Sequence, residues 1–335
     1  MKGVRVVLVA LALSAAWPTT QAAETLFVSQ WLPKSNSIYA AVDDWQKAVT
    51  EATDGNVRFN VLPQPVASPA DHYNAIRDGL ADVGVAVAGY TPGRFPLTKL
   101  VEMPANTHTA EASSAAFYRL VKRTPVMQAE FKDVKILALF VHGPGQVFNT
   151  RKPIKSMDDL RSLKYRVGGG VVSDVAQVLG VNASQKPATE SYELIANGVV
   201  DGAWLPMESL ETYNLMGLIK YVTAFQGGLY SSAMMVVMNK ARWKDLSDED
   251  KQSIQALSGV PFSRDLGRRL DERDTRAREH AVEAGIQVDP APRSLVQEVG
   301  QRSTALLDNW RTLARDKGIQ DPDAVIQRYR KDLEQ

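Results

Sequence analysis

Arg166 is the side chain in this sequence that is best placed to meet an anion. It stands near the end of a strand pattern at residues 163–167, directly before three consecutive glycines, Gly168, Gly169 and Gly170. The planar guanidinium of an arginine pairs with a carboxylate through two parallel hydrogen bonds. The position therefore predicts a carboxylate clamp, and a structural or surface ion pair stays open as the alternative.

Other residue types lack the spacing that catalysis or metal binding needs. The histidines, His72, His108, His142 and His280, do not stand at metal-ligand spacing to one another. The chain has no cysteine, which excludes thiol catalysis and cysteine-based metal sites. It contains no Gly-x-Ser-x-Gly elbow and no dinucleotide or P-loop fingerprint. We therefore predict no catalytic residue, no metal site and no cofactor.

The elements that must position Arg166 alternate between strand and helix. Strand patterns occupy residues 25–31, 57–61, 83–87 and 135–141, and helical spacing follows Ser37 and Ser68. The second of these helices is expected to carry Tyr73, Ile76 and Leu80 on one face. Such alternation favours an α/β layer with a mostly parallel sheet, in which ligands bind beyond the carboxyl ends of the strands. The loops at 31–36 and 89–93 stand at such ends, as does Arg166.

Two apolar strands are natural places for the chain to cross between lobes. The first, at residues 135–141, leads into a Gly-Pro-Gly segment, and the second lies at residues 233–238. We predict lobe one from residues 24–143 and about 233–268. Lobe two then comprises residues 144–232 and about 269–335 with the C-terminal helices, one of them long and exposed at 265–284. Each lobe is expected to be a mostly parallel sheet flanked by helices, with a hinge between the lobes.

The N-terminal residues indicate export. Residues 1–22 combine a basic start, an apolar run and a small-residue cleavage site, as in a secretory signal. Their removal takes away Lys2 and Arg5 and no acid, so the net charge of +1 becomes −1. A near-neutral chain does not favour a nucleic-acid partner. We therefore expect a periplasmic protein.

Several segments resemble the TRAP-transporter solute-binding proteins, the DctP-like periplasmic receptors. The resemblance rests on residues 155–160, 163–167, 192–194, 198–202 and 90–97, and it covers nearly the whole mature chain. It implies the two-lobed periplasmic-binding-protein fold, a small organic acid as ligand and membrane subunits of a TRAP transporter as partners. In that family the arginine that matches Arg166 grips the ligand carboxylate, which favours the clamp over the structural ion pair.

Departures from the family pattern bear on the ligand. Where many members carry a polar residue near Leu205, this chain offers Trp204 and Met207, and Gln146 stands near a position that often carries a second arginine. A second ligand charge would thus lack its partner. These residues favour one carboxylate on an apolar or aromatic body, or a 2-oxo acid, over a C4-dicarboxylate, which remains the alternative.

Further candidates for the ligand-binding wall are Trp31, Asn36, Tyr90, Tyr230 and Glu208. Each has a structural alternative: the tryptophans, Trp31 and Trp204, suit a lobe core, and Glu208 suits a supporting role beside an arginine. The tyrosines carry phenols that can bond a ligand hydroxyl or keto oxygen.

Two classes of function remain open from the sequence. The first is a monomeric periplasmic receptor whose lobes close on an organic acid. The second is a secreted α/β enzyme or a sensor-coupled binding module that uses the same cleft. No sequence feature supports turnover.

Overall fold

The computed structural model describes residues 23–104 and 108–335. The predicted signal segment, residues 1–22, lies outside this range. Within the described residues, no helix has both the length and the apolar composition that crossing a bilayer demands.

The strands of the described chain form two sheets. The strands are β1 (Glu24–Ser29), β2 (Val57–Val61), β3 (Val83–Val87), β4 (Val134–Val141), β5 (Gln146–Asn149), β6 (Lys164–Val167), β7 (Asn182–Gln185), β8 (Gly202–Leu205), β9 (Tyr221–Ala224), β10 (Ala233–Asn239) and β11 (Gln287–Pro290). The first sheet has the order β2-β1-β3-β10-β4, and the second has the order β11-β9-β5-β8-β6-β7. The first lobe is defined here as the first sheet together with the helices that pack on it. The second lobe is the second sheet with its own helices.

Each sheet is parallel except for one reversed strand. In the first sheet β10 pairs antiparallel with β3 and β4, and in the second β5 pairs antiparallel with β8 and β9. The other pairings are parallel. Both reversed strands follow directly after the chain leaves the other sheet. The predicted α/β fold with two mostly parallel sheets is confirmed.

Helices flank both sheets. They are α1 (Ser37–Ala52), α2 (His72–Arg77), α3 (Ala110–Arg123), α4 (Pro125–Gln128), α5 (Met157–Arg161), α6 (Val171–Leu179), α7 (Ser191–Ala196), α8 (Ser209–Thr212), α9 (Lys240–Asp245), α10 (Asp248–Ala256), α11 (Val260–Glu283), α12 (Arg293–Asp316) and α13 (Pro322–Leu333). Short 3-10 helices lie at Ala88–Tyr90, Thr98–Glu102, Ala129–Phe131 and Ala188–Glu190.

The first two helices differ from the prediction at their ends. Asn36, and not Ser37, caps α1, because its side-chain oxygen accepts a hydrogen bond from the backbone N–H of Ile38. Helix α2 begins at His72 and is over before Leu80, which is 59% exposed. The reason is Gly79, whose φ of +81° takes the chain out of the helix. The prediction that Leu80 shares a face of this helix was wrong.

Helix α11 connects the lobes and is less exposed than its charge predicted. Its buried stripe includes Phe262, Leu266 and Leu270 on the side of the first sheet, and Ala277 and Ala281 on the side of the second. Helix α13, which the sequence placed with the second lobe, packs against α3 beside the first sheet. It does so through a buried apolar face on its inner side.

The cores follow the two-residue period of the strands. Along β8, Trp204 belongs to one apolar cluster of the second sheet, while Ala203 and Leu205 belong to the cluster on the opposite face. Along β6, Tyr165 and Val167 share the cluster of Trp204. Because successive strand side chains point to opposite faces, the residue between them must turn away from that core.

Candidate functional site

A small cavity of about 50 Å³ lies between the lobes, at the carboxyl ends of β3, β6 and β8. Its apolar walls are Leu32, Ile38, Val87, Leu205, Pro206, Met234 and Leu270. Its polar lining is Asn36, Tyr90, His142, Arg166, Glu208, Ser209, Tyr213, Tyr230 and Ser232. The cavity therefore has the composition of a site for a compact ligand that is largely apolar but carries a few polar groups.

Arg166 is the one buried cation on the cavity wall among the described residues, with 1% of its surface exposed. Strand alternation on β6 directs it away from the core that holds Tyr165 and Val167, and it stands opposite Ala203 of β8 in the sheet register. Its Nε donates to the backbone oxygen of Lys186 at 2.9 Å. Both acceptors that it uses are neutral, the second being a phenol.

That phenol belongs to Tyr90 and joins the two lobes. Arg166 Nη2 donates to the Tyr90 hydroxyl oxygen at 3.1 Å, and the backbone N–H of Ala188 donates to the same oxygen at 3.0 Å. Tyr90 follows β3 in the first lobe, whereas its two donors lie in the second. One oxygen atom thus ties the buried guanidinium to the opposite wall of the cavity.

Asn36 and Glu208 meet across the cavity although 172 positions separate them. Asn36 Nδ2 makes long contacts to Glu208 Oε2 at 3.5 Å and to Thr212 Oγ1 at 3.4 Å. The Glu208 carboxyl accepts from Thr212 Oγ1 at 2.5 Å and from Ser209 Oγ at 3.1 Å. Burial raises the pKa of Glu208. Hydroxyl groups, rather than the arginine expected from the sequence, hold this carboxyl in place.

Tyr230 and His142 form an aromatic corner of the cavity. Their ring centroids lie 5.3 Å apart with an interplanar angle of 88°. The Tyr230 hydroxyl donates to the backbone oxygen of Trp204 at 2.8 Å. His142 Nδ1 lies 2.5 Å from the backbone oxygen of Gly143. Burial lowers the pKa of His142 to about 4, and the nearby charge of Arg166 contributes to this shift.

Four of the predicted wall residues do not line this cavity. Trp204 has 0% exposure and packs in the core with Tyr165, because strand alternation turns it away from Arg166. Met207 is buried in the apolar cluster on the other face of the sheet. Trp31 donates to the backbone oxygen of Val85 inside the first lobe.

Gln146 is the fourth of these residues, and its amide is used within the second lobe. Its oxygen accepts from the backbone N–H of Phe225 at 2.6 Å, and its nitrogen donates to the backbone oxygen of the same residue. Gln146 therefore fastens β5 to the chain that follows β9. Both polar groups of its amide are thus used within the protein and not on a ligand.

Sequence reasoning missed His142 and Tyr213 as lining residues. His142 had a usable signal, since it directly follows the long strand β4 at the point where the chain crosses between lobes. No sequence pattern pointed to Tyr213. It directly follows the short helix α8 of the second lobe, and only the packing of that helix brings it to the cavity. Burial, together with the neighbouring Glu208 and Tyr90, raises the pKa of Tyr213 well above its ordinary value.

The lining combines one cation with aromatic, acidic and apolar groups. Among the residues that the structure describes, no cluster of three or more histidines and acids could hold a metal ion. What the cavity offers is one desolvated cation, three phenols, one imidazole, one carboxyl and an apolar wall.

Comparisons with known proteins agree with this geometry. A family model described as bacterial extracellular solute-binding protein, family 7 (DctP), matches residues 27–312. A TRAP periplasmic solute-binding protein from Bordetella bronchiseptica, with bound (R)- and (S)-mandelate, is 37% identical with a TM-score of 0.89, over 93% of this chain and 99% of that one.

Two further relatives extend the comparison. A marine metagenome TRAP solute-binding protein specific for aromatic acid ligands, in complex with 3-hydroxybenzoate, is 29% identical with a TM-score of 0.86, covering 94% of this chain and 99% of that one. The outer membrane transporter protein TsaT of Comamonas testosteroni is 28% identical over 318 residues, which are 94% of each chain.

Proposed function

Because the chain belongs to the DctP family of bacterial extracellular solute-binding proteins, the receptors of TRAP transporters, we propose that it captures an aromatic or apolar monocarboxylate through Arg166. Receptors of this family are extracytoplasmic, bind small organic acids and work with membrane subunits. The proposal adds the class of ligand and the residue that holds its charge.

The observation that carries the proposal is the environment of Arg166. A guanidinium with 1% exposure has lost nearly all of its hydration, yet the two acceptors that it bonds among the described residues are a backbone carbonyl and a phenol. A buried charge is costly unless an opposite charge joins it. A ligand carboxylate supplies that charge and can use the guanidinium nitrogens that face the cavity.

The rest of the lining supports a single carboxylate on an apolar body. The aliphatic walls suit a ring or an alkyl group, and the buried carboxyl of Glu208 would repel a second anionic group. The relatives bound to mandelate and to 3-hydroxybenzoate hold acids of this kind. Both observations favour an aromatic monocarboxylate over a C4-dicarboxylate.

We further propose that ligand binding and lobe closure are coupled. Residues 24–143 with about 233–268 would rotate against residues 144–232 with β11, about the segments that cross between the sheets. Tyr90 and Asn36 of the first lobe contact Arg166 and Glu208 of the second, so the ligand-binding wall is complete only when the lobes are together. The acid is then released unchanged to the membrane subunits.

Isothermal titration calorimetry tests this proposal. Benzoate and phenylacetate should bind more tightly than succinate, and Arg166→Met should weaken their binding by about ten- to a hundredfold. Arg278→Met, at an exposed position of α11, is the matched control and should bind like the wild type. Unchanged affinity in Arg166→Met, or a preference for succinate, would contradict the proposal. Mass spectrometry of the recovered acid should find it chemically unchanged.

A further inference from the structure

For Arg166 and three polar side chains near it, bonds within the protein determine which groups can donate a hydrogen bond to a ligand and which can accept one. Four side chains form this group, Tyr90, His142, Arg166 and Tyr230, and all four line the cavity. Arg166 bonds to Tyr90 and His142 packs against Tyr230, so the group consists of two contacting pairs in one small cavity. Which of them can donate and which can accept follows from the bonds that they already make within the protein.

Arg166 and Tyr90 are donors toward the cavity. A guanidinium has no acceptor atom. The Tyr90 oxygen accepts hydrogen bonds from Arg166 Nη2 at 3.1 Å and from the backbone N–H of Ala188 at 3.0 Å, which occupies its two lone pairs. Its own hydrogen is therefore left to donate, and none of the described residues accepts it. Two donors side by side suit the two oxygens of a carboxylate.

His142 is an acceptor toward the cavity. The Gly143 carbonyl can only accept, so His142 Nδ1, 2.5 Å away, must carry the ring hydrogen. Burial lowers the pKa of His142 to about 4, which keeps the ring neutral near pH 7. In that tautomer Nε2 carries a free lone pair. None of the described residues donates to it, and the ring that bears it lines the cavity beside Tyr230.

Tyr230 is the second acceptor. Its hydroxyl donates to the Trp204 backbone oxygen at 2.8 Å, so the oxygen keeps its lone pairs. Its ring packs edge-on against His142 with the centroids 5.3 Å apart, which fixes both rings. The lining of one small cavity therefore includes two donors, Arg166 and Tyr90, and two acceptors, His142 and Tyr230.

We propose that the site selects 2-hydroxy acids, with the ligand carboxylate on Arg166 and Tyr90 and the neighbouring hydroxyl donating to His142 Nε2. This inference rests on the proposed function and narrows its ligand class. A 2-oxo acid presents only acceptors and would oppose its keto oxygen to the lone pairs of His142 and Tyr230. An acid with no oxygen on the second carbon would leave those acceptors without a partner.

A matched series of three acids, which differ only at the second carbon, tests the proposal by calorimetry at pH 7.5. Mandelate carries a hydroxyl there, phenylacetate carries only hydrogen, and phenylglyoxylate carries a keto oxygen. We expect phenylacetate to bind about tenfold more weakly than mandelate, and phenylglyoxylate more weakly still. Equal or tighter binding of either would overturn the selection, while the wider proposal of an aromatic monocarboxylate receptor would survive.

His142→Phe tests the residue itself. The ratio of the mandelate to the phenylacetate affinity should fall about tenfold, toward one, because the acceptor is gone. His142→Gln, whose amide oxygen can reach the same place, should restore part of the ratio. A ratio that stays at the wild-type value in a folded His142→Phe protein would overturn the assignment to His142. If no aromatic acid bound the wild type while succinate did, the proposed function itself would fail.

Discussion

At the scale of single residues, the chemistry of the cavity depends on bonds that its side chains already make. Arg166 is oriented by one backbone carbonyl and one phenol, and His142 has its tautomer fixed by the carbonyl of Gly143. Asn36 uses its oxygen to cap α1, which leaves only its amide nitrogen to face Glu208. Side chains held in this way lose little conformational entropy when a ligand binds.

Tyr90→Phe tests the link between the guanidinium and the opposite lobe. The change removes the oxygen that accepts from Arg166 and Ala188, and it removes the hydrogen that we assign to the ligand carboxylate. We expect the affinity for an aromatic acid to fall by about five- to thirtyfold, as measured by calorimetry. Tyr192→Phe, at a side chain that is 45% exposed, is the control and should leave affinity unchanged. Wild-type binding by Tyr90→Phe would exclude Tyr90 from the clamp.

At the scale of elements, the backbones of the two lobes come into close contact where two turns meet at Gly89 and Gly169. A Cβ at Gly169 would lie 1.9 Å from the Gly89 carbonyl oxygen, and a Cβ at Gly89 would lie 2.3 Å from the oxygen of Gly169. Neither glycine has a positive φ. Their negative φ does not itself demand glycine. The opposite lobe is the main obstacle to a Cβ at both positions, and at Gly169 the end of the flexible Gln185 side chain, 2.7 Å away, would also have to move.

Gly169→Ala and Gly89→Ala should therefore impair closure without impairing folding. We expect at least about tenfold weaker binding of an aromatic acid, because the methyl group blocks the present approach of the turns. The melting temperature of the ligand-free protein should change little. Gly300→Ala is the control, since a Cβ there meets open space on α12. It should stabilise the protein by about 0.5–1 kcal/mol and leave affinity unchanged. Wild-type affinity in both cleft variants would contradict this account.

Helix α11 holds both lobes from one side. In its middle, Asp271 accepts from the backbone N–H groups of Ala110 and Glu111 in the first lobe, at 2.8 and 2.9 Å. One turn later, Asp274 accepts from the backbone N–H of Glu208 in the second lobe at 2.7 Å. The backbone of Glu208 is therefore held by a helix that also bonds to the first lobe, and this bond helps to position the Glu208 carboxyl in the cavity.

At the scale of the whole molecule, Glu102 is a buried acid that joins the lobes. Its carboxyl accepts from the N–H of Val171, at the start of α6 in the second lobe, at 3.0 Å. It also accepts from the N–H of Ala233, at the start of β10 in the first, at 2.8 Å. Burial raises its pKa from 4.5 to about 7, although both hydrogen bonds act to lower it.

This shift predicts a pH dependence of stability. A carboxyl whose pKa is raised in the folded protein contributes its full stability below about pH 4.5, and the contribution is lost as the pH rises to about 7. His142, with its pKa lowered to about 4, has the opposite sign: its contribution is lost as the pH falls. The effect of Glu102 must therefore be measured as a difference between two proteins.

Glu102→Gln supplies that difference. From pH 4.5 to 7.5, the free energy of unfolding of the variant should rise relative to the wild type by up to about 3 kcal/mol, because the buried ionisation is absent. A pH-independent offset is expected from the changed hydrogen bonds. Urea denaturation at several pH values measures both quantities. Parallel profiles for the two proteins would show that Glu102 does not titrate in this range.

The sequence by itself determined several of the strands and helices and the place of the proposed clamp. Alternating valines predict β3, and the glycines after residue 167 end β6 and start α6. These features depend on the local period of apolar side chains and on backbone conformations that glycine allows. The position of Arg166 at a strand end followed from the same local pattern.

Only the tertiary structure decided which other side chains reach the cavity. Trp204 was a plausible wall residue by type, but the face of β8 on which it lies puts it in the core. Asn36 and Glu208, and likewise Gly89 and Gly169, come together from distant parts of the chain. The physical reason is that local patterns fix the faces of each element, whereas contacts across the cleft depend on how whole lobes pack against each other.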